Sequence, residues 1–378
     1  MNEKYGKNFI NYLRVRFFHL RQIIFNRSTN FNYFWKNQDK TKLPTELCKI
    51  IDIFLKSDSK EFISGWWKYN NIKDIKSLSE IGIENYGEIF FHYYTWYGWT
   101  DEEINELLSS LQDKKYYHNI DIYKKHKSLS NNKSFLLNIL LYTLYNLLSE
   151  TKEFEYLNKL SDKTFCENSH PFIKIDNNYI SHDKVNSLLE LSEINKLNFI
   201  SDNSKILEIG AGSGRIADTL LSIYPKIKYV ICDIPLAIYV SFYRLKKRFN
   251  DNKKIFLAID INNEEDLNKI ISENDIIFIF PHQLKYLEKK SIDLTISISA
   301  FHEMEKKVIK FYMNQINRIS NKLYFTVWKK TLIPFSLYGT ILYADKDSYY
   351  INDKWKEVSN KKSYFPNTII QKSYLINN

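Results

Sequence analysis

Lys205-Ile-Leu-Glu-Ile-Gly-Ala-Gly-Ser-Gly-Arg215 is where the fold of this chain is first legible. Ile206 to Ile209 reads as a short buried strand, an apolar run too brief for a helix. The alternate glycines Gly210, Gly212 and Gly214 let the backbone turn tightly and come close to a ligand where a Cβ would collide. Beyond them Ile216, Leu220, Leu221 and Ile223 recur at helical spacing, so the turn presents helix N-terminal N–H groups above the strand end. Strand, glycine turn and helix together predict a nucleotide-type cradle.

A dinucleotide fingerprint needs its third glycine at position 215, where this chain has Arg215; the spacing departs from G-x-G-x-x-G. Glu208, two residues before the first glycine, would repel a pyrophosphate but attract an ammonium. A second apolar run, Tyr229-Val-Ile-Cys-Asp233, ends on a carboxylate suited to accept both hydroxyls of a ribose at the tip of the next strand. The two acids therefore bracket an adenosyl amino acid, and S-adenosyl-L-methionine, with an ammonium, a sulfonium and no phosphate, is the expected cofactor. Ala211 within the loop and Ile234 after Asp233 complete that part of the expected cofactor set. For the adenine ring, His282 and Gln283 follow a further strand in the right place for stacking and a hydrogen bond. Asp260 is the alternative if residues 254 to 259 form the third strand of the sheet.

Outward from this block, strands and helices alternate. Strands are predicted at 205–209, 228–233, 275–280, 292–298 and 322–328, helices at 213–223, 235–249, 264–273 and 303–319, and an apolar stretch at 254–259. Such alternation implies a doubly wound, Rossmann-like α/β sheet, whose ligands collect at the carboxyl ends of the strands. Ser181 to Leu197 reads as a helix leading into it. In the tail, Tyr338 to Tyr343 and Thr368 to Leu375 are expected to add an antiparallel pair. Before residue 165 the spacing is helical, as in Leu47–Leu55, Glu102–Leu111 and Phe135–Leu148. The expected domains are an α-helical one over 1–165 and a cofactor-binding one over 166–378, joined through the polar region Asn158 to Asn178 with its His170-Pro171 step. Aromatic residues concentrate in Ile89–Trp99, close after Trp66 and Trp67; core packing is favoured over sugar stacking.

The chain has 378 residues, 44% of them hydrophobic, and a formal charge of +10, enough for two cores. Half of the charge lies in residues 1–30, where Lys4, Lys7, Arg14, Arg16, Arg21 and Arg27 face Glu3 alone for a local +5. Ile10, Leu13, Phe17, Leu20 and Ile24 form one stripe among them, so 4–27 reads as a basic amphipathic helix. It would dock on its own domain or meet an anionic membrane or partner. No apolar run reaches the roughly 18 residues of a spanning helix, and the start lacks the pattern of a signal peptide. Cys48, Cys166 and Cys232 are scattered and odd in number, which argues for thiols in a reducing cytoplasm and against a zinc site.

Residues 205 to 215 with Asp233 resemble the cofactor motifs of class I S-adenosylmethionine-dependent methyltransferases. Lys290-Ser-Ile-Asp-Leu-Thr-Ile-Ser-Ile-Ser-Ala-Phe-His-Glu-Met304, with Asp275–Pro281 before it and Tyr312–Val327 after it, is similar to a bacterial family of sugar O-methyltransferases. The similarity spans about residues 165 to 330. It implies a methyl transfer to a hydroxyl of a sugar or glycan precursor, with Ser297 in the cofactor set. Family members tend to carry Asn-Thr around the position of Ser297 and Gln at that of His302. His302 is the expected base, since an imidazole titrates near neutrality, with Glu303 beside it. The alternative is that His302 and Glu303 simply open helix 303–319, where an acid suits the dipole. Without paired carboxylates in metal geometry, a metal-independent reaction is expected. Two other classes stand beside this one: a nucleic-acid methyltransferase, which would use the basic surface but lacks an Asn/Asp-Pro-Pro-Tyr motif, and a non-catalytic cofactor-binding interaction module.

Overall fold

Buried parallel strands are near-continuous aliphatic runs because helices cover both of their faces, and the segments around the glycine block have that composition. The computed structural model describes residues 31–83, 135–160, 172–175, 178–333, 340–363 and 368–376. The basic segment 4–27, the helix expected at 102–111, the aromatic run 89–99, Cys166 and His170-Pro171 lie outside them.

The helical region contributes α1 (Phe31–Asn37), α2 (Thr45–Lys56), α3 (Gly65–Ile81) and α4 (Phe135–Ser149). A hairpin of β1 (Phe172–Ile175) and β2 (Asn178–Ser181) follows. The described end of the region expected to be a polar connection thus holds a strand, β1, where Ile173 faces Ile180 across the hairpin and both are fully buried. Next come α5 (His182–Asn195), β3 (Lys205–Ile209), α6 (Arg215–Ile223), β4 (Lys228–Cys232), α7 (Pro235–Phe249), β5 (Ile255–Leu257), α8 (Glu264–Glu273), β6 (Ile276–Ile279), β7 (Leu294–Ile298), α9 (Lys306–Ile319) and β8 (Lys322–Trp328). The chain ends with β9 (Lys330–Leu332), β10 (Ile341–Tyr343), β11 (Lys356–Lys362) and β12 (Ile369–Leu375).

The main sheet has eight strands in the order β11-β12-β8-β7-β3-β4-β6-β5. From β5 to β8 all neighbours are parallel, and β12 and β11 close the other edge antiparallel. From β3 the chain winds outward through β4 to β5 and β6, then returns to place β7 on the other side of β3. This is a Rossmann-like doubly wound sheet, and its direction reverses between β3 and β7, where such folds open a crevice at the carboxyl ends.

Side chains alternate between the two faces. On β3 and β4, Ile206, Tyr229 and Ile231 join a core shared with α2, α5, α6 and α7, whereas Leu207, Ile209 and Val230 join one shared with α8 and α9. The first core is continuous into the helical region. Leu47, Ile50, Ile51 and Phe54 of α2 are fully buried in it, α2 packs on α7, and the Phe54 ring lies 5.3 Å from that of Phe280.

Three expectations shift. Residues 254–259 contain a strand, β5, but it lies outside β6 at the sheet edge, and Asp260 after it is exposed and paired with Lys49 at 3.1 Å. The antiparallel partner of β12 is β11, while Ile341–Tyr343 pairs with β9 instead. Lys356–Lys362 is a solvent-facing edge strand with almost no apolar residues, so alternation gave no sign of it. The helix expected over 303–319 starts at Lys306; residues 301–303 form a separate 3-10 turn, broken from it by extended backbone at Met304.

Candidate functional site

Each alternate glycine of the loop adopts a conformation that side chains resist. Gly210, Gly212 and Gly214 have φ of 75°, 57° and 74°. A Cβ on Gly210 would stand 2.4 Å from the Cβ of Ala300, so the loop after β3 and the segment after β7 touch at the switch point. Gly214 caps α6 in the left-handed region, and α6 therefore opens two residues later than its apolar spacing predicts.

Asp233, at the end of β4, is held by this loop. Its Oδ2 accepts the Gly212 N–H at 3.0 Å and its Oδ1 the Ile234 N–H at 2.7 Å. Burial pushes the Asp233 carboxyl up to about 6, against the lowering effect of the backbone N–H groups of Gly212, Ile234 and Ala211. Glu208, 1% exposed, accepts the Tyr229 hydroxyl at 2.8 Å. Burial raises it to about 7, opposed by that hydrogen bond and by Arg215. The Arg215 guanidinium is itself engaged by Glu190, at 2.6 and 3.0 Å, and by Ser187 at 3.0 Å.

The turn after β7 supplies the opposite wall. Glu303 accepts the indole N–H of Trp67, from the first turn of α3, at 3.2 Å, and burial raises its carboxyl to about 7. His302 is buried, its ring edge-on to Trp328 at 6.3 Å. Burial lowers it to about 3, and its Nδ1 has no hydrogen-bond partner among the described residues. A ring so reluctant to take a proton is neutral throughout the physiological range.

Glu208, Gly210, Ala211, Gly212, Asp233, Ile234, His302 and Glu303 line one cavity of about 360 Å³, within the range of small-molecule sites. Gly214, His282, Gln283 and Ser297 are not in its lining. Gly214 packs toward Ser241 and Leu245. His282 sits after β6, as its spacing predicts, but Nδ1 lies 2.7 Å from the Ser59 hydroxyl, which also accepts the His282 backbone N–H. Gln283 caps its own turn, accepting the Phe280 N–H and donating to the carbonyls of Ala258 and Ile261. The Ser297 hydroxyl is fully buried within the sheet and unpartnered among the described residues.

Sequence reasoning passed over Phe62, Ser64, Arg215, Tyr312 and Trp328, which also line the cavity, and treated Trp67 as core. Tyr229 had a readable signal: a hydroxyl in a buried aliphatic strand needs a partner. Phe62, Ser64 and Trp67 had none, because what brings them here is the docking of the helical region. Among the described residues no three His, Cys, Asp or Glu side chains group to hold a metal ion, and no helix is long and apolar enough to cross a membrane. Cys48 and Cys232 are free thiols.

The chain is similar to a protein of Pyrococcus horikoshii, with 15% identity over 51% of this chain and 91% of that one and a TM-score of 0.35. It is also similar to a SAM-dependent methyltransferase of Aquifex aeolicus, with 14% identity over 49% of this chain and 89% of that one and a TM-score of 0.32. No family model and no curated protein sequence matches the chain.

Proposed function

We propose that this protein is an S-adenosylmethionine-dependent methyltransferase that methylates a hydroxyl of a small, carbohydrate-type acceptor. The observation that carries this reading is the charge of the cavity. Glu208, Asp233 and Glu303 converge on it, and Arg215, the cation in its described lining, is already spoken for by Glu190. A phosphate-bearing ligand would meet carboxylates without a free counter-charge; a ligand carrying a sulfonium and an ammonium relieves the burial of those same acids.

The residues fit such a cofactor. Glu208 would face its ammonium, Asp233 its ribose hydroxyls, and the backbone of Gly210 to Gly212 would approach it where side chains cannot. When bound, it supplies an electrophilic methyl carbon on sulfur. The protein's own part is then to line up an acceptor oxygen with that carbon and to remove the acceptor's proton, work done by positioning and by a base. The wall formed by the turn after β7 and by aromatic side chains suits a neutral, hydroxylated acceptor with an apolar face.

Calorimetry with S-adenosylmethionine and with a dinucleotide tests the cofactor. The wild type should bind the first and ignore the second, and Gly212→Val should abolish binding. Undiminished binding to the variant, or preference for the dinucleotide, would overturn the assignment. For the acceptor, labelled cofactor is incubated with a lysate separated into small molecules, glycans and nucleic acids. Label should enter the carbohydrate fractions; label in nucleic acid would refute the acceptor class.

A further inference from the structure

We propose that Trp67 is a positioning residue, reaching from the helical region to hold Glu303 at the carboxyl end of β7, where Glu303 takes the proton of the acceptor hydroxyl. The inference rests on the methyltransferase reading and assigns the acceptor side of that site. Glu208, the glycine loop and Asp233 occupy the wall suited to the cofactor. The rest of the lining includes Glu303 together with Phe62, Ser64, Trp67 and Trp328.

That wall is built, not incidental. Ser64 caps α3 by accepting the Trp67 backbone N–H at 3.4 Å, fixing the tryptophan in the first turn. Phe62 packs its ring 4.4 Å from Phe311 and 6.3 Å from Tyr312 of α9, tying the same segment to the sheet half of the molecule. The Trp67 indole and the Glu303 carboxylate, 236 positions apart in the chain, meet at 3.2 Å. Because an indole N–H only donates, it favours the ionised, proton-accepting form of Glu303 and leaves the other carboxylate oxygen for the acceptor.

His302 is the poorer base. It is buried, its Nδ1 has no hydrogen-bond partner among the described residues, and burial lowers it to about 3. Glu303, raised to about 7, matches a neutral reaction, where a general base works best. Among the described residues, the titratable groups that share the cavity with it are Asp233 and Glu208 at the strand ends, Arg215 of α6, the adjacent His302 and Tyr312 of α9. In the transfer, the acceptor O–H proton passes to the Glu303 carboxylate as the oxygen bonds the methyl carbon. The methyl–sulfur bond breaks with its electron pair left on sulfur, and the proton then leaves Glu303 for solvent.

Two measurements on the full chain test this. The first is an infrared titration of the protein alone, following the carboxylic C=O bands. One band should vanish in Glu303→Gln, and its midpoint should move to higher pH in Trp67→Phe, which removes a donor that favours the carboxylate. An unmoved midpoint, or no band lost in Glu303→Gln, overturns the proposal. The second is label transfer from S-adenosylmethionine to the neutral carbohydrate fraction of a lysate. Glu303→Gln should slow it about a hundredfold or more while cofactor binding by calorimetry persists. Glu303→Asp should restore part of it, and Trp67→Phe should shift the acid limb of the rate profile upward. Transfer by Glu303→Gln at the wild-type rate would sink the catalytic role. The infrared titration needs neither cofactor nor acceptor, so its outcome is distinguishable from a failure of the wild type to bind S-adenosylmethionine, which would refute the methyltransferase reading itself.

Discussion

Glu208 and Asp233 are acids held where water is scarce, and both are raised, to about 7 and about 6. The sign of the consequence follows from linkage. In the folded protein these carboxyls bind a proton more tightly than in the unfolded chain, so their contribution to stability is full below the ordinary carboxylate range and is lost as pH climbs through about 6 to 7. For Glu208 the loss is roughly 3 kcal/mol. A cationic ligand prefers the ionised forms, so affinity for S-adenosylmethionine should rise between pH 5.5 and 8, by up to about tenfold per pH unit for each acid that must ionise. Calorimetry in buffers of different ionisation enthalpy should show proton release, and Glu208→Gln should flatten the slope. Gly210 makes a simpler demand. Alanine there must hold φ near 75° with its Cβ 2.4 Å from that of Ala300. Gly210→Ala should destabilise the fold by about 1–3 kcal/mol from backbone strain alone, visible as a lowered thermal midpoint, and should abolish cofactor binding.

Between elements, the contact with the clearest energetic signature joins α5 to α6. Arg215 and Glu190 are almost fully buried and bonded at two points. Such a pair is costly to halve, because the survivor keeps its desolvation and loses its partner. Glu190→Ala should therefore cost about 3–5 kcal/mol in urea unfolding, and pairing it with Arg215→Met should recover most of the loss. Arg215 also illustrates how elements were legible in part. Its position, where a dinucleotide fingerprint has glycine, was plain from spacing. Its partner was not, because Glu190 lies on a helix 25 residues earlier whose packing against α6 no local pattern encodes. Likewise β3, β4, β6, β7 and β8 were readable as aliphatic runs buried on both faces. The polar edge strand β11 was not, since its ladder is made by backbone alone.

Across the whole molecule, the helical region and the sheet share a core. Phe54 of α2 is fully buried against Phe280 at the end of β6. Phe54→Ala should cost about 3–5 kcal/mol, and tryptophan fluorescence and far-ultraviolet circular dichroism should report one coincident transition; a separate early transition of the helices would show that the two regions fold independently. The cavity has the same dependence, with Glu208, Asp233 and the glycine loop on one wall and Trp67 on the other. By itself the sequence determined the doubly wound sheet, the strained loop after β3 and the acid at the end of β4, because each is set by period, by backbone freedom or by an interval of a few residues. Tertiary structure alone decided that His282 would be engaged by Ser59, that Arg215 would be neutralised by Glu190 and that Glu303 would stand under Trp67. These pairings span 223, 25 and 236 positions; the second comes from the packing of two helices on each other, and the first and last arise where segments early in the chain bury their apolar faces on a sheet completed much later.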